Sequence, residues 1–436
     1  MNIRQIALRM LDEYEASGKF INLALSTHLT DNLSREEKAA LTALLYTSVE
    51  RKLTYDYYIC ALSKRSESDI DLHTKNILRL GLCQIIDMRS VPDFAAVNES
   101  VKLAATPGER SFVNGVLRAA VRQKDNLPLP PETKKYNRYL SVKYSFPLPT
   151  VKLFDSLFGS EDTEKLLRFF NEEKYTDITV NTLEISVEEY LDLLNRQGIS
   201  AETNPYAAIS LRIAGSVNPE RLPGFEDGYF FVQDRASAIC SAILDPCENS
   251  VIADVCAAPG GKSLAAAIHS GDLAKIHSFD LHESKLSLIR DSATRLGISS
   301  ITAEQRDATS PNPDLVGKCQ RVICDAPCSG LGVLGKKPDL RYKDIQVSDE
   351  LAELSLNILT ASATYLAVGG IMVYSTCTLC PHENEDVVNK FIEQNPDYEL
   401  VPFQLCDISA DNGMLTLLPH VHKTDGFFMA KIRRIK

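Results

Sequence analysis

Hydrophobic positions in the first third of the chain recur at three- and four-residue spacings, the period of a helix face. The pattern runs through residues 3–17 (IRQIALRMLDEYEAS), 35–63, 71–88, 95–105 and 111–123. Ser34 followed by Glu37 supplies a capping box for the second of these. Short polar breaks separate the runs, so a compact helical bundle is expected. The segment 125–136, DNLPLPPETKKY, is Pro-rich and charged, and a domain boundary is placed there. From 140 to 233 the pattern is mixed. Residues 176–183 alternate like a strand, 186–198 form an amphipathic helix ending at a glycine, and 200–213 read as one or two further strands. This is the pattern of a small α+β module.

Beyond residue 233 the period switches back and forth. Residues 250–270 read as strand, glycine turn and helix. Strands follow at 274–280, 301–307, 320–327 and 369–377, with helices at 283–297, 348–366 and 383–395. The chain closes with strand-like runs at 398–403 and 426–435. Repeated strand–helix units predict a parallel, doubly wound sheet with right-handed crossovers. Ligands in such sheets sit at the carboxyl ends of the strands.

Composition narrows the class. Of 436 residues, 44% are hydrophobic and 24% charged, which excludes global disorder. Apolar runs fall short of the roughly 20 residues that span a bilayer, and acids occupy the N-terminal stretch where a signal peptide would be apolar. A soluble cytoplasmic protein without a membrane partner is expected. Eleven scattered cysteines, an odd number, point to buried or functional thiols in a reducing compartment. The net charge of −11 is unevenly spread: Met1–Leu140 hold 20 Lys+Arg against 17 Asp+Glu, the remainder 27 against 41. A polyanion would therefore meet the first third, or local basic patches, before the rest of the surface.

Five strand ends carry the candidate chemistry. The turn Cys256-Ala257-Ala258-Pro259-Gly260-Gly261-Lys262 opens a helix, whose free N–H groups and small residues suit a ligand. A phosphate-loop reading is set aside, because Cys256 stands where that motif needs glycine and Pro259 removes a donor. Asp280 and Asp307 close the next two strands, where acids accept from ribose hydroxyls or an adenine amino group. Asp325-Ala326-Pro327-Cys328 and Ser375-Thr376-Cys377 close two more. If these strands are neighbours, two thiols and an acid converge beside an adenosine-bearing cofactor. That set suits methylation at carbon 5 of cytosine, where thiolate addition at carbon 6 makes the ring nucleophilic. Cys324, Cys328, Cys377 and Cys380 also leave open a zinc site or a redox C-x-x-C.

Together these motifs resemble the Sun/Fmu/Nol1 family of RNA cytosine-5 methyltransferases that use S-adenosylmethionine. The helical bundle resembles NusB, with Ser111–Arg118 (SFVNGVLR) similar to that domain's final-helix signature. The pairing of the two resembles the branch of the family that modifies 16S rRNA. The resemblance implies an all-α NusB-like bundle (1–139), a small α+β module (140–233) and an α/β Rossmann-like SAM-dependent methyltransferase domain (234–436). It further implies Cys377 as nucleophile, Cys328 as the thiol that assists product release, and Asp325 beside both methyl group and base. Residues Cys256 to Lys262, with Asp280 and Asp307, would hold the cofactor. Gln233–Ser237 and Gly332–Asp339 resemble further family segments, and Lys336, Lys337 and Arg341 are expected to contact RNA phosphate. Thr179 and Gly335 depart from the basic residues usual in the family, and tryptophan is absent. A monomer acting on 16S rRNA is expected. The alternatives are a non-enzymatic NusB-like RNA-binding module, or a cytosine-5 methyltransferase acting on another RNA or on DNA; in a DNA enzyme Cys328 would be the nucleophile.

Overall fold

A computed structural model describes residues 2–18, 21, 25, 33–132, 135–172, 175–215, 217–343 and 349–436. Residues 133 and 134 of the Pro-rich break lie outside the described residues. The chain divides into two compact units, one of residues 1–171 with 334–345, the other of 172–333 with 346–436.

The first unit is helical. Helices run over Ile3–Ser17, Arg35–Glu50, Lys52–Ser63, Leu72–Ile86, Asp93–Leu103 and Pro107–Arg122. The expected capping box of Ser34 and Glu37 is present. The run expected as one helix over 35–63 breaks at Arg51, whose φ of −99° and ψ of 12° depart from helical values. Ala7, Leu11, Leu41, Leu45, Ile77, Leu80, Val113 and Leu117 fill the core. Gly81 lets two helices approach, since a Cβ there would lie 2.6 Å from a Leu117 methyl.

The two compact units divide at 171/172. Helices Tyr136–Tyr144 and Leu148–Glu172, the latter kinked at Gly159, belong with the bundle. Thr54 donates to the Val142 carbonyl (2.6 Å) and Ser145 accepts from the Leu53 amide (3.0 Å). Segment 334–345 closes the unit. Arg341 is fully buried, donating to the carbonyls of Leu334 (3.0 Å), Glu50 and Phe170 (3.4 Å each) and lying 4.0 Å from the Phe146 ring centre. The expectation that Arg341 meets RNA phosphate is corrected by that burial. Gly335 packs against Phe170, where a Cβ would come within 3.1 Å of the carbonyl oxygen.

The second unit holds two sheets. The smaller, ordered β2-β3-β1-β4, is antiparallel: β1 Tyr175–Val180, β2 Ala201–Asn204, β3 Ala207–Ala214 and β4 Phe230–Val232. Its core joins Ile178, Val180, Leu211 and Phe230 to Tyr190 and Leu194 of helix Val187–Arg196. The larger sheet contains β5 Val251–Asp254, β6 Lys275–Asp280, β7 Ile301–Gln305, β8 Cys319–Asp325, β9 Leu366–Thr376, β10 Tyr398–Leu400 and β14 Phe427–Arg434. A hairpin of β11 Phe403–Leu405 and β12 Ile408–Ala410 stands apart, and β13 Met414–Leu417 pairs with β14.

The order is β10-β14-β9-β8-β5-β6-β7. Strands β5 to β9 are parallel as expected, but β14 runs antiparallel between β9 and β10, so the sheet is mixed. The reversal is set by the last connection: β14 is entered by a return from its antiparallel partner β13 and not by a helical crossover. Separate cores cover the two faces, one with helices Arg235–Leu244 and Gly261–His269, the other with Asp349–Ala363 and Glu385–Gln394. The strand order reverses between β5 and β8, the crevice where a Rossmann-like sheet binds ligands. Among the described residues, no helix is long and apolar enough to cross a membrane.

Candidate active site

Strand register sets the site. In the parallel pair β8–β9, Asp325 lies opposite Ser375, so the segments leaving both strands start level. Cys328 follows three residues beyond one partner and Cys377 two beyond the other. Their sulfurs stand 3.2 Å apart. Asp325 lies between Lys262 Nζ, which donates to Oδ2 at 2.6 Å, and Ser375 Oγ, which donates to Oδ1 at 2.7 Å. Lys262 reaches it from the first turn of helix Gly261–His269, across the β5–β8 switch point.

The glycine turn is held from both sides. Gly260 adopts φ 108°, and a Cβ there would crowd Ile289 at 3.2 Å, so glycine is needed for conformation and space. Gln233 Nε2 donates to the Gly261 carbonyl (3.0 Å), and Thr179 donates to Gln233 Oε1 (2.7 Å). The threonine that stands where the family often has arginine is thus a fully buried brace for the turn. Asp280 accepts from the amides of Ala258 (3.3 Å) and His282 (3.0 Å), which joins it to the turn. Ala257 donates to the Phe279 carbonyl (2.8 Å). The Ala258–Pro259 peptide is cis.

Burial organises the charges. The thiol of Cys328 is pushed well up, first by its hydrogen bond with Cys377 and then by burial. Burial opposes the charge on Lys262, but the Asp325 carboxylate outweighs it, so the ammonium is held charged. Burial lifts the carboxyl of Asp254, beneath the turn, to about 7, although Ser263 donates to it at 2.7 Å. Burial also raises the thiol of Cys256 and brings Cys324 to about 12, the state of unreactive core thiols.

Not every candidate converges. Cys324 sits in the core with Leu356 and Leu359, and Cys380 is buried with its amide on Thr378 Oγ1 (3.3 Å). The pairing seen is Cys328 with Cys377, and among the described residues no group of three or more His, Cys, Asp or Glu side chains is placed to hold a metal. Asp307 lies two residues past β7, exposed, with its carboxylate accepting from the amide and hydroxyl of Thr309 (2.9 and 2.7 Å). Its backbone neighbour Arg306 donates to the Asp280 carbonyl (3.0 Å), so Asp307 borders the site without a side-chain tie to the turn.

Sequence reasoning missed two residues. Glu383 and Asn384 are buried on the turn after Cys380 and bond the segments that carry the two thiols. In the sequence they read as acids and caps opening a helix, and no spacing distinguished them. The crevice suits S-adenosylmethionine. The helix at Gly261 has no side-chain cap, leaving first-turn N–H groups for a carboxylate, and Asp280 lies at the strand end where a ribose diol would bind.

Three family models match the chain. The model described as 16S rRNA methyltransferase RsmB/F matches residues 241–433, the NusB family 1–122, and the Methyltr_RsmF/B-like ferredoxin-like domain 148–219. The curated "Probable ribosomal RNA small subunit methyltransferase B" of Bacillus subtilis (strain 168) is 33% identical over 447 residues, covering 99% of each chain. "Ribosomal RNA small subunit methyltransferase B" of Klebsiella pneumoniae is 30% identical over 439 residues, covering 99% of this chain and 98% of that one. Among solved structures, NSun6 from Pyrococcus horikoshii with SFG shares the fold at TM-score 0.61, 24% identical, over 67% of this chain and 99% of that chain.

Proposed function

Because this chain belongs to the ribosomal RNA small subunit methyltransferase B family, we propose that its paired thiols methylate carbon 5 of a cytosine in 16S rRNA. It is a SAM-dependent rRNA methyltransferase, and the 3.2 Å approach of Cys328 and Cys377 beside Asp325 carries the assignment of residues. Cys377 is assigned as the nucleophile, with Cys328, whose thiol is pushed well up by its hydrogen bond with Cys377 and by burial, as its sulfur partner. Cys377 adds to carbon 6 of the ring. The Lys262–Asp325 pair supplies a proton to ring nitrogen 3, and carbon 5 becomes enamine-like. S-adenosylmethionine supplies the methyl group as an electrophilic carbon on a sulfonium. The carbon-5 proton is then lost to a base, nitrogen 3 returns its proton to the Lys262–Asp325 pair, and the carbon–sulfur bond breaks with its electron pair going back to the Cys377 sulfur, a departure Cys328 assists, so the ring is aromatic again.

The cofactor is assigned to the turn Cys256–Lys262, its carboxylate on the first-turn amides and its ribose on Asp280, with Asp307 bordering the adenine end. The NusB-like helical region is assigned to RNA, and the rRNA substrate places the enzyme in the cytoplasm. Two variants test the division of labour on a 16S rRNA fragment with methyl-labelled cofactor. Cys377→Ala is expected to abolish turnover. Cys328→Ala is expected to accumulate a covalent protein–RNA adduct visible on a denaturing gel. Turnover by Cys377→Ala, with none by Cys328→Ala, would reverse the roles as in the DNA reading.

A further inference from the structure

Two segments bring the thiols together, and neither sulfur is fixed by its own hydrogen bonds alone. The segment after β8 carries Cys328, Ser329 and Gly332; the one after β9 carries Cys377, Thr378, Glu383 and Asn384. Glu383 Oε2 accepts from the Ser329 amide at 2.7 Å, spanning the two. Ser329 and Thr378 hydroxyls pair at 2.7 Å, and the Gly332 amide donates to the Cys377 carbonyl at 2.9 Å. Asn384 grips both neighbours of Cys377: Thr376 Oγ1 donates to its Oδ1 (2.5 Å), and its Nδ2 donates to the Thr378 carbonyl (3.0 Å). Tyr374 in turn donates to the Glu383 carbonyl at 2.8 Å.

Glu383 and Asn384 are almost wholly buried, at 0% and 1% exposure. A buried carboxylate is costly unless it is well satisfied, yet Glu383 Oε1 has no hydrogen-bond partner among the described residues. A side chain retained at that cost is one whose other oxygen does something a neutral apolar residue would not. We propose that Glu383 and Asn384 are positioning residues that lock the two thiol-bearing segments in register and so set the spacing between the sulfurs. Asn384 orients Cys377 from both sides. Glu383 anchors the segment of Cys328 through the next residue's amide. Neither touches the reacting atoms.

This inference rests on the assignment of the two thiols, so one readout is independent of turnover. Phenylarsine oxide bridges two sulfurs only when they lie close together, and the bridged peptides are identified by mass spectrometry. Glu383→Ala in the full chain is expected to lose bridging between Cys328 and Cys377 and to lower kcat about 10–100-fold, with KM for S-adenosylmethionine unchanged. Glu383→Gln keeps an oxygen for the Ser329 amide and is expected to restore both. Thr376→Val, which removes only the hydroxyl that Asn384 Oδ1 accepts from, keeps the test open should Glu383→Ala fail to fold; it is expected to weaken bridging and kcat together. Bridging and kcat both unchanged in Glu383→Ala, or in Thr376→Val, would overturn the inference. So would a Glu383→Gln enzyme that bridges normally yet is as slow as the alanine variant, because the carboxylate would then act chemically. Turnover by Cys377→Ala with normal bridging in the parent chain would instead fault the assignment of the nucleophile.

Discussion

Each unit buries a cation beside an aspartate, and the two pairs are built differently. In the helical unit Arg79 grips Asp56 with two parallel bonds of 2.7 Å, while its Nη1 donates to Glu15 (2.9 Å) and Asn76 (2.7 Å). The side chains are 4% and 9% exposed. In the catalytic unit Lys262 makes one 2.6 Å bond to Asp325, whose carboxylate stays 31% exposed. A planar guanidinium locked on a carboxylate by two bonds is a closed fitting. A point-charge ammonium on a half-open carboxylate leaves lone pairs for something that arrives from outside. The first arrangement suits a fold that stays closed, and the second suits the proton transfer proposed for this pair.

The contrast is broken most strongly at the open pair. Asp325→Asn is expected to cost about 10²–10⁴-fold in kcat, the range of a lost acid–base partner, measured with labelled cofactor on an rRNA fragment. Its unfolding midpoint is expected to fall less than that of the next variant, because solvent already reaches the carboxylate. Asp56→Ala should behave oppositely, losing about 3 kcal/mol of stability in urea titration by taking the bidentate partner from a buried guanidinium that keeps only Glu15 and Asn76. Its kcat per folded molecule should be close to the parent's. Equal activity losses in both variants would erase the distinction.

A smaller effect sharpens it through pH. Burial raises the carboxyl of Asp254 from 3.8 to about 7. Between those values the native state holds a proton that the unfolded chain has lost, so this group makes stability fall as pH rises through the window and level off above it. Urea midpoints at pH 5, 6, 7 and 8 should show that downward slope reduced in Asp254→Asn. An unchanged slope would mean the burial of Asp254 is not felt.

The strand ends were legible because each apolar run stops at a polar residue: Asp280, Asp325 and Ser375 could be placed before any coordinates. The capping signal at Ser34 was equally local. What escaped was non-local. Helices Tyr136–Tyr144 and Leu148–Glu172 are interrupted by Phe146-Pro147-Leu148-Pro149 and by the Gly159 kink, which scramble the helical period. Arg341 reads as surface in a run with Lys336 and Lys337, and only packing against Phe146 shows otherwise. The antiparallel β14 opens with an apolar run, Phe427 to Ala430, that a parallel strand would equally show. The grip of Asn384 on Thr376 and Thr378 depends on a turn that brings the chain back on itself, which no residue spacing announces.

The strap that holds Arg341 has a consequence for biosynthesis. The helical unit is not continuous in the chain: residues 172–333 lie between its last long helix and the segment that completes it. At about 5–20 residues per second of translation, those residues take roughly 8–30 s to emerge. Throughout that interval the carbonyls of Glu50 and Phe170 await their guanidinium. A nascent bundle would therefore leave the ribosome unfinished, and its last piece would arrive only after the whole of the smaller sheet and the first four strands of the larger one had been made.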